Sequence, residues 1–125
     1  MNRKKQFKRN RENIAPHCQK KFPKLNFDKK RGFIVMGRPG CPYYERAQNV
    51  LRELGIKMEI YDIEKNSVEY KNLEKCTQQL RSYKELKYNN SSSRFTTPIV
   101  FLGKLYIGGS DDLVEYLDDL MTKMK

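Results

Sequence analysis

Arg38-Pro39-Gly40-Cys41-Pro42-Tyr43-Tyr44 is the stretch of this 125-residue chain whose residue types and spacing point to chemistry. It follows the apolar run Phe33-Ile34-Val35-Met36 and opens a helical pattern from Glu45 to Leu54. Cys41 therefore stands where a strand turns into a helix N-terminus. Unpaired backbone N–H groups and the positive end of a helix dipole meet there. A thiolate is stabilised in such a place, and its sulfur reacts near neutral pH. The position predicts a reactive cysteine rather than an inert loop thiol.

The elements that must hold this cysteine are readable in order. Phe33 to Met36 is a short continuous apolar run, as in a strand buried on both faces of a parallel sheet. Ala47, Val50, Leu51 and Leu54 repeat at helical spacing, and Gly55 stops that helix at its C′ position. Met58 to Ile63 alternates and predicts a second strand, so strand, helix and strand form a right-handed parallel unit. Asn66 or Ser67 caps a second helix with its stripe on Leu73, Cys76, Leu80 and Tyr83. Cys76 reads there as a buried, inert thiol. A polar loop, Asn89 to Ser93, precedes Pro98-Ile99-Val100-Phe101-Leu102, a strand that opens on proline. Gly103-Lys104 turns it into Leu105-Tyr106-Ile107, a β-hairpin. Gly108-Gly109 ends the hairpin. Ser110 or Asp111 caps a last helix whose stripe is Leu113, Leu117, Leu120, Met121 and Met124. The order is βα-βα-ββα.

Length allows one domain. The net charge is +11, and it is unevenly placed. Residues 1–31 hold twelve Lys and Arg against Glu12 and Asp28, so ten of the eleven net charges sit there. The expected division is a basic, flexible N-terminal extension, 1–31, and a nearly neutral folded domain, 32–125. Charge blocks of this kind are usually solvated. The functional alternatives are an arm that contacts nucleic acid or another anionic surface, or a targeting segment. Cys18, Cys41 and Cys76 stand far apart in no metal-ligand spacing, and His17 is the single histidine. No metal site is expected. With no apolar leader and no run long enough to span a bilayer, the expected setting is a reducing, intracellular one, the cytoplasm, with free thiols. Abundant Asn and Lys suggest an AT-rich genome, so packaging in a viral particle is the alternative address. Cys18 reads as an unremarkable free thiol, its alternative role being a substitute partner for Cys41.

Cys41-Pro42-Tyr43, Thr97-Pro98, Ile107-Gly108-Gly109-Ser110-Asp111-Asp112 and the basic Arg38 three residues before the cysteine occur in the order found in glutaredoxins. From about Gly32 to Lys125 the chain resembles that family. The resemblance implies an α/β, thioredoxin-like three-layer fold: a four-stranded mixed sheet with helices on both faces. It implies a glutathione-dependent thiol–disulfide oxidoreductase with Cys41 as its catalytic residue. Glutathione is then the co-substrate, and glutathionylated or disulfide-bearing proteins are the substrates. The family's binding positions fall on Arg38, Tyr43, Arg94, Thr97, Pro98, Gly109, Ser110 and Asp111. By resemblance, Pro98 is cis and Thr97 offers its main chain to the cysteinyl part of glutathione. Ser110 and Asp111 hold the γ-glutamyl end, with Arg38 and Arg94 at the glycine carboxylate. Tyr43 packs beside the sulfur.

Tyr44 is the main departure, because dithiol members carry a second cysteine there. The resemblance is thus to a monothiol mode in a monomer, with glutathione as the second thiol. The alternatives are two chains sharing a [2Fe–2S] cluster through Cys41 and glutathione, or a redox adaptor docked by its basic tail. Pro42 and Tyr44 depart from the Cys-Gly-Phe-Ser pattern of cluster-handling members and argue against the cluster.

Overall fold

The computed structural model describes residues 18, 20–25, 27, 32–78, 80–90, 95–103 and 105–123. The apolar runs form the strands they predict. These are β1 (Phe33–Gly37), β2 (Met58–Asp62), β3 (Ile99–Leu102) and β4 (Leu105–Gly108), in the sheet order β2-β1-β3-β4. β1 pairs parallel with β2 and antiparallel with β3, and β3 pairs antiparallel with β4. Every residue of β1 is buried, as its unbroken apolar run requires in a central strand. β2 lies at an edge, and its Glu59 and Ile60 are exposed.

Side chains alternate between the two faces of the sheet. Phe33 and Val35 point to one face, where they meet α1 (Pro42–Glu53) through Ala47 and Leu51 and α4 (Ser110–Lys123) through Leu113 and Leu117. Ile34 and Met36 point to the other, where Leu73 of α2 (Val68–Thr77) covers them. Helices on both faces of a four-stranded mixed sheet make the expected thioredoxin-like fold.

Three expectations are corrected. First, the long stripe from Leu73 to Tyr83 is not one helix. Ser82 starts a separate α3 (Tyr83–Tyr88) through a full capping box, its hydroxyl accepting from Glu85 N–H and the Glu85 carboxylate accepting from Ser82 N–H. The α2 cap is Ser67, not Asn66. Second, the stripe of α4 leaves the core after Leu117, because Leu120 and Met121 are exposed; Met124 lies outside the described residues.

Third, packing does not follow the charge boundary at residue 31. Cys18, Phe22, Leu25 and Phe27 are buried in the core of the second face. Phe22 meets Tyr61 edge-on at 5.6 Å between ring centres, and Phe27 meets Phe101 at 5.2 Å. Lys20, Lys21 and Lys24 stay exposed. Net charge therefore hid a segment with one apolar side. Residues 1–17, with their part of the basic run, lie outside the described residues.

Candidate active site

Cys41 is placed by the turn that joins β1 to α1. Its N–H donates to the Arg38 carbonyl at 3.2 Å, which closes the turn. Cys41 is the N-cap residue of α1, with extended backbone angles of φ −76° and ψ 123°. Its carbonyl accepts from the N–H groups of Tyr44 and Glu45, each at 3.1 Å. Pro42 follows at the first helical position, where a missing N–H does no harm. The Cys41 side chain makes no capping bond, so the sulfur is left for other work. It is half-buried against the α1 side of the core and is the free cysteine among the described residues. Arg38 stands exposed at the start of the same turn.

Tyr44 occupies the place one helical turn on. It is 2% exposed and packs in the core with Ala47, Leu51 and Val35. Its hydroxyl donates to Asp62 Oδ1 at 2.7 Å, tying α1 to the end of β2. Burial first, and then the hydrogen bond and charge of Asp62, push the phenol far above its ordinary value. Tyr44 is therefore a neutral, structural donor. Gly37 makes room for it: a Cβ there would lie 2.5 Å from Tyr44 Cδ1. Sequence reasoning registered what Tyr44 lacks but not what it holds. The partner Asp62 is 18 residues away and carried no local signal.

Beside this helix start lies a groove of about 660 Å³, walled by the end of α2, the loop before β3 and the start of α4. Six of the eight expected binding residues line it, namely Tyr43, Thr97, Pro98, Gly109, Ser110 and Asp111. The Thr97–Pro98 peptide bond is cis. Tyr43 is 58% exposed at its rim. Cys41 and Arg38 sit in the adjoining turn rather than in the groove wall. Arg94 lies outside the described residues.

The turn at the start of α4 is built differently from its expected capping. Gly109, not Ser110 or Asp111, is the residue before the helix, and its carbonyl accepts the first helical bond, from Leu113 N–H at 3.0 Å. Asp112 reaches back to accept from Gly109 N–H at 3.0 Å and from Lys84 N–H at 2.8 Å. One carboxylate thus fixes both the turn and the start of α3. Gly108 permits that approach: its φ is +121°, and a Cβ would lie 2.6 Å from Asp112 Oδ2 and 2.7 Å from Ser82 Cβ. Asp111 points outward and pairs with Arg46 of α1 at 2.9 Å. The bridge is exposed on both sides, so it is worth ~1 kcal/mol at most. Tyr106 also lines the groove, and burial, with the charges of Asp112 and Glu85, keeps its phenol protonated.

α4 is held in place by α3. Lys87 pairs with Glu115 and, at 2.8 Å, with Asp119. Tyr83 donates to Asp119 at 2.6 Å and Tyr88 to Glu115 at 2.7 Å. Burial and the Asp119 hydrogen bond push the Tyr83 phenol up to about 12. Lys87 holds both carboxyl groups below the ordinary carboxylate range. Sequence analysis placed Tyr83 on an apolar stripe but anticipated none of these pairings, although Ser82-x-x-Glu85 was a readable helix start.

The expectation of free thiols at Cys18 and Cys76 is overturned. The two form a disulfide, with Cα atoms 5.4 Å apart. Cys18 lies in the core of the face opposite that of Cys41, which removes it as a disulfide partner for Cys41. Among the described residues no three His, Cys, Asp or Glu side chains converge as a metal site, and no helix is long and apolar enough to cross a membrane.

A family model described as the glutathione S-transferase N-terminal domain matches residues 35–123. A probable glutaredoxin of Acanthamoeba polyphaga mimivirus is 36% identical over 91 residues, covering 73% of this chain and 82% of that protein. Glutaredoxin-1 of Homo sapiens is 33% identical over 97 residues, covering 74% and 80%. Among solved structures, a buckwheat glutaredoxin–glutathione complex superposes with a TM-score of 0.55 over 86% of this chain and 84% of that one, at 19% identity. Reduced glutaredoxin C1 of Populus tremula x tremuloides gives 0.55 over 88% and 81%, also at 19%. At that identity the structures speak for the fold alone. The family model spans most of the chain, and the two sequence relatives are more than 30% identical over about three-quarters of it; on that ground the chain belongs to the glutaredoxin family of thiol–disulfide oxidoreductases.

Proposed function

We propose that this chain reduces glutathione mixed disulfides with Cys41 as its single working thiol. The Cys41 thiolate attacks the glutathionyl sulfur of a substrate. The substrate leaves as a thiol, and Cys41 carries glutathione. A second glutathione attacks that disulfide, releases oxidised glutathione and restores the Cys41 thiolate. The net reaction turns one mixed disulfide and one glutathione into a substrate thiol and oxidised glutathione. A partly exposed sulfur at a helix N-terminus is suited to both steps, because a thiolate in such a place attacks well and leaves well.

The observation that carries this reading is Tyr44. The position that would bear a resolving thiol is filled by a buried ring held by Asp62, and the other two cysteines are bonded to each other. The groove supports glutathione as the ligand. The Thr97 main chain beside cis-Pro98 suits pairing with the cysteinyl unit. The α4 N-terminus at Ser110 and Asp111 suits a carboxylate, and the Asp111 carboxylate suits an ammonium that would compete with its exposed bridge to Arg46. Arg38 supplies positive charge for the glycine end.

The test is glutathione-coupled turnover of a glutathionylated peptide by the wild type and Cys41→Ser. Activity should vanish in the variant, and wild type treated with oxidised glutathione should stop at one adduct on Cys41. Equal activity in the two proteins overturns the proposal.

A further inference from the structure

We propose that Cys18 and Cys76 form a second, two-electron redox site, opened by low-molecular-weight thiols and closed by their oxidised, disulfide forms, which latches the segment of Cys18, Phe22, Leu25 and Phe27 against the wall of the groove. This disulfide cross-links that segment to the body, joining positions 58 residues apart. Its far end is placed to matter. Cys76 lies in α2 between Glu74 and Thr77, and both of those residues line the groove. Its near end holds a segment that contributes Phe22, Leu25 and Phe27 to the core behind that wall.

The two sulfurs differ in access. Cys18 is fully buried, whereas Cys76 is partly exposed. An incoming thiolate therefore attacks the Cys76 sulfur. That forms a Cys76 mixed disulfide and releases Cys18, which takes up the proton. A second thiol attacks the small-molecule sulfur of the mixed disulfide, frees Cys76 as a thiol and departs as the oxidised dimer. Two thiols are oxidised and one protein disulfide is reduced. The reduced state has a place ready for it: the Cys76 sulfur lies 3.5 Å from the Leu73 carbonyl, an acceptor for its S–H.

Opening the bond removes that cross-link and leaves the segment to its non-covalent contacts. The amides of Phe22 and Leu25 bond locally, to the carbonyls of Cys18 and Phe22, at 2.9 and 3.1 Å. A segment lifted from the core loses the packing that shields this turn from water, so the latch is read as local opening at these amides.

The test uses full-length Cys41→Ser, so its outcome does not depend on the proposed turnover. The protein is equilibrated at graded ratios of reduced to oxidised glutathione, alkylated, and weighed. The expected result is one transition from no alkylated cysteine to two. Hydrogen exchange at the two extremes should show the Phe22 and Leu25 amides exchanging about tenfold faster or more in the reduced form, with β1 and β3 unchanged. Two alkylated cysteines at every ratio overturn the proposal, because no disulfide forms. A bond that resists every ratio overturns it as well, because glutathione does not operate it. Reduction that leaves exchange within about twofold overturns the latch.

Discussion

Replacing Tyr44 separates its two jobs. Tyr44→Phe keeps the ring in the core and removes the 2.7 Å bond to Asp62. Asp62 is exposed, so its carboxylate returns to water, and the loss is about 1 kcal/mol, the net worth of one hydrogen bond. Tyr44→Ala removes a ring that is 2% exposed and leaves a void between α1 and the sheet. Large-to-small changes of that kind cost about 3–5 kcal/mol. For a domain of this size, about 4 °C of thermal midpoint accompanies each kcal/mol, which gives shifts of about 4 °C for Phe and 12–20 °C for Ala. Gly37→Ala attacks the same contact from the other side. Its Cβ would meet Tyr44 Cδ1 at 2.5 Å, an overpacking that costs about 1–3 kcal/mol. Combined with Tyr44→Ala it should cost far less than the sum, because the void receives the new methyl group. Circular dichroism melts of the four proteins, all keeping Cys41, decide the matter. Equal shifts for Phe and Ala, or additive losses in the double variant, would refute the account of Tyr44 as the packed tie between α1 and β2. The same reasoning means that Tyr44→Cys, which writes a dithiol motif, lowers stability before it adds chemistry.

Gly108→Ala should destabilise by more than about 2 kcal/mol in urea melts and raise KM for glutathione, since it displaces Asp112 from Gly109 and Lys84. The Cys18–Cys76 disulfide closes a loop set by a separation of 58 residues, worth about 4 kcal/mol in the chain-entropy account. Urea midpoints of the wild type should therefore fall in dithiothreitol to meet those of Cys18→Ala/Cys76→Ala, and an unchanged midpoint refutes this. Lys87 holds Glu115 and Asp119 below the ordinary carboxylate range, so this contribution is present above that range and lost as pH falls through the lowered values. Lys87→Met should thus lower the melting temperature at pH 7 but leave it unchanged near pH 2.

How far the chain could be read depended on the separation of its partners. β1, α1 and the hairpin declare themselves through periodicity and turn residues within a few positions. Cys41 at the helix start and the glycine turn at Gly108 could be placed for the same reason, whereas the cis bond at Pro98 was implied by the family resemblance. The pairings that shape the site are not written locally. Asp112 with Lys84 spans 28 residues, Tyr83 with Asp119 spans 36, and Cys18 with Cys76 spans 58. The exception is the break between α2 and α3. Ser82-x-x-Glu85 announced it, but the apolar stripe running past it read as one helix. Charge misled in the same way at Phe22, Leu25 and Phe27, beside which Lys20, Lys21 and Lys24 stay exposed.

The sheet sets the rate law of Cys41. The other two sulfurs are spent on each other behind β1 and β3, and Tyr44 fills the nearest helical turn. Under the proposed single-thiol mechanism, the thiol that removes an adduct from Cys41 must diffuse in from outside. Its dwell time then varies inversely with the concentration of free thiol around the protein. In a thiol-rich medium Cys41 is a catalyst; as the pool is drained, the same residue becomes a clock that counts how long the pool stays low.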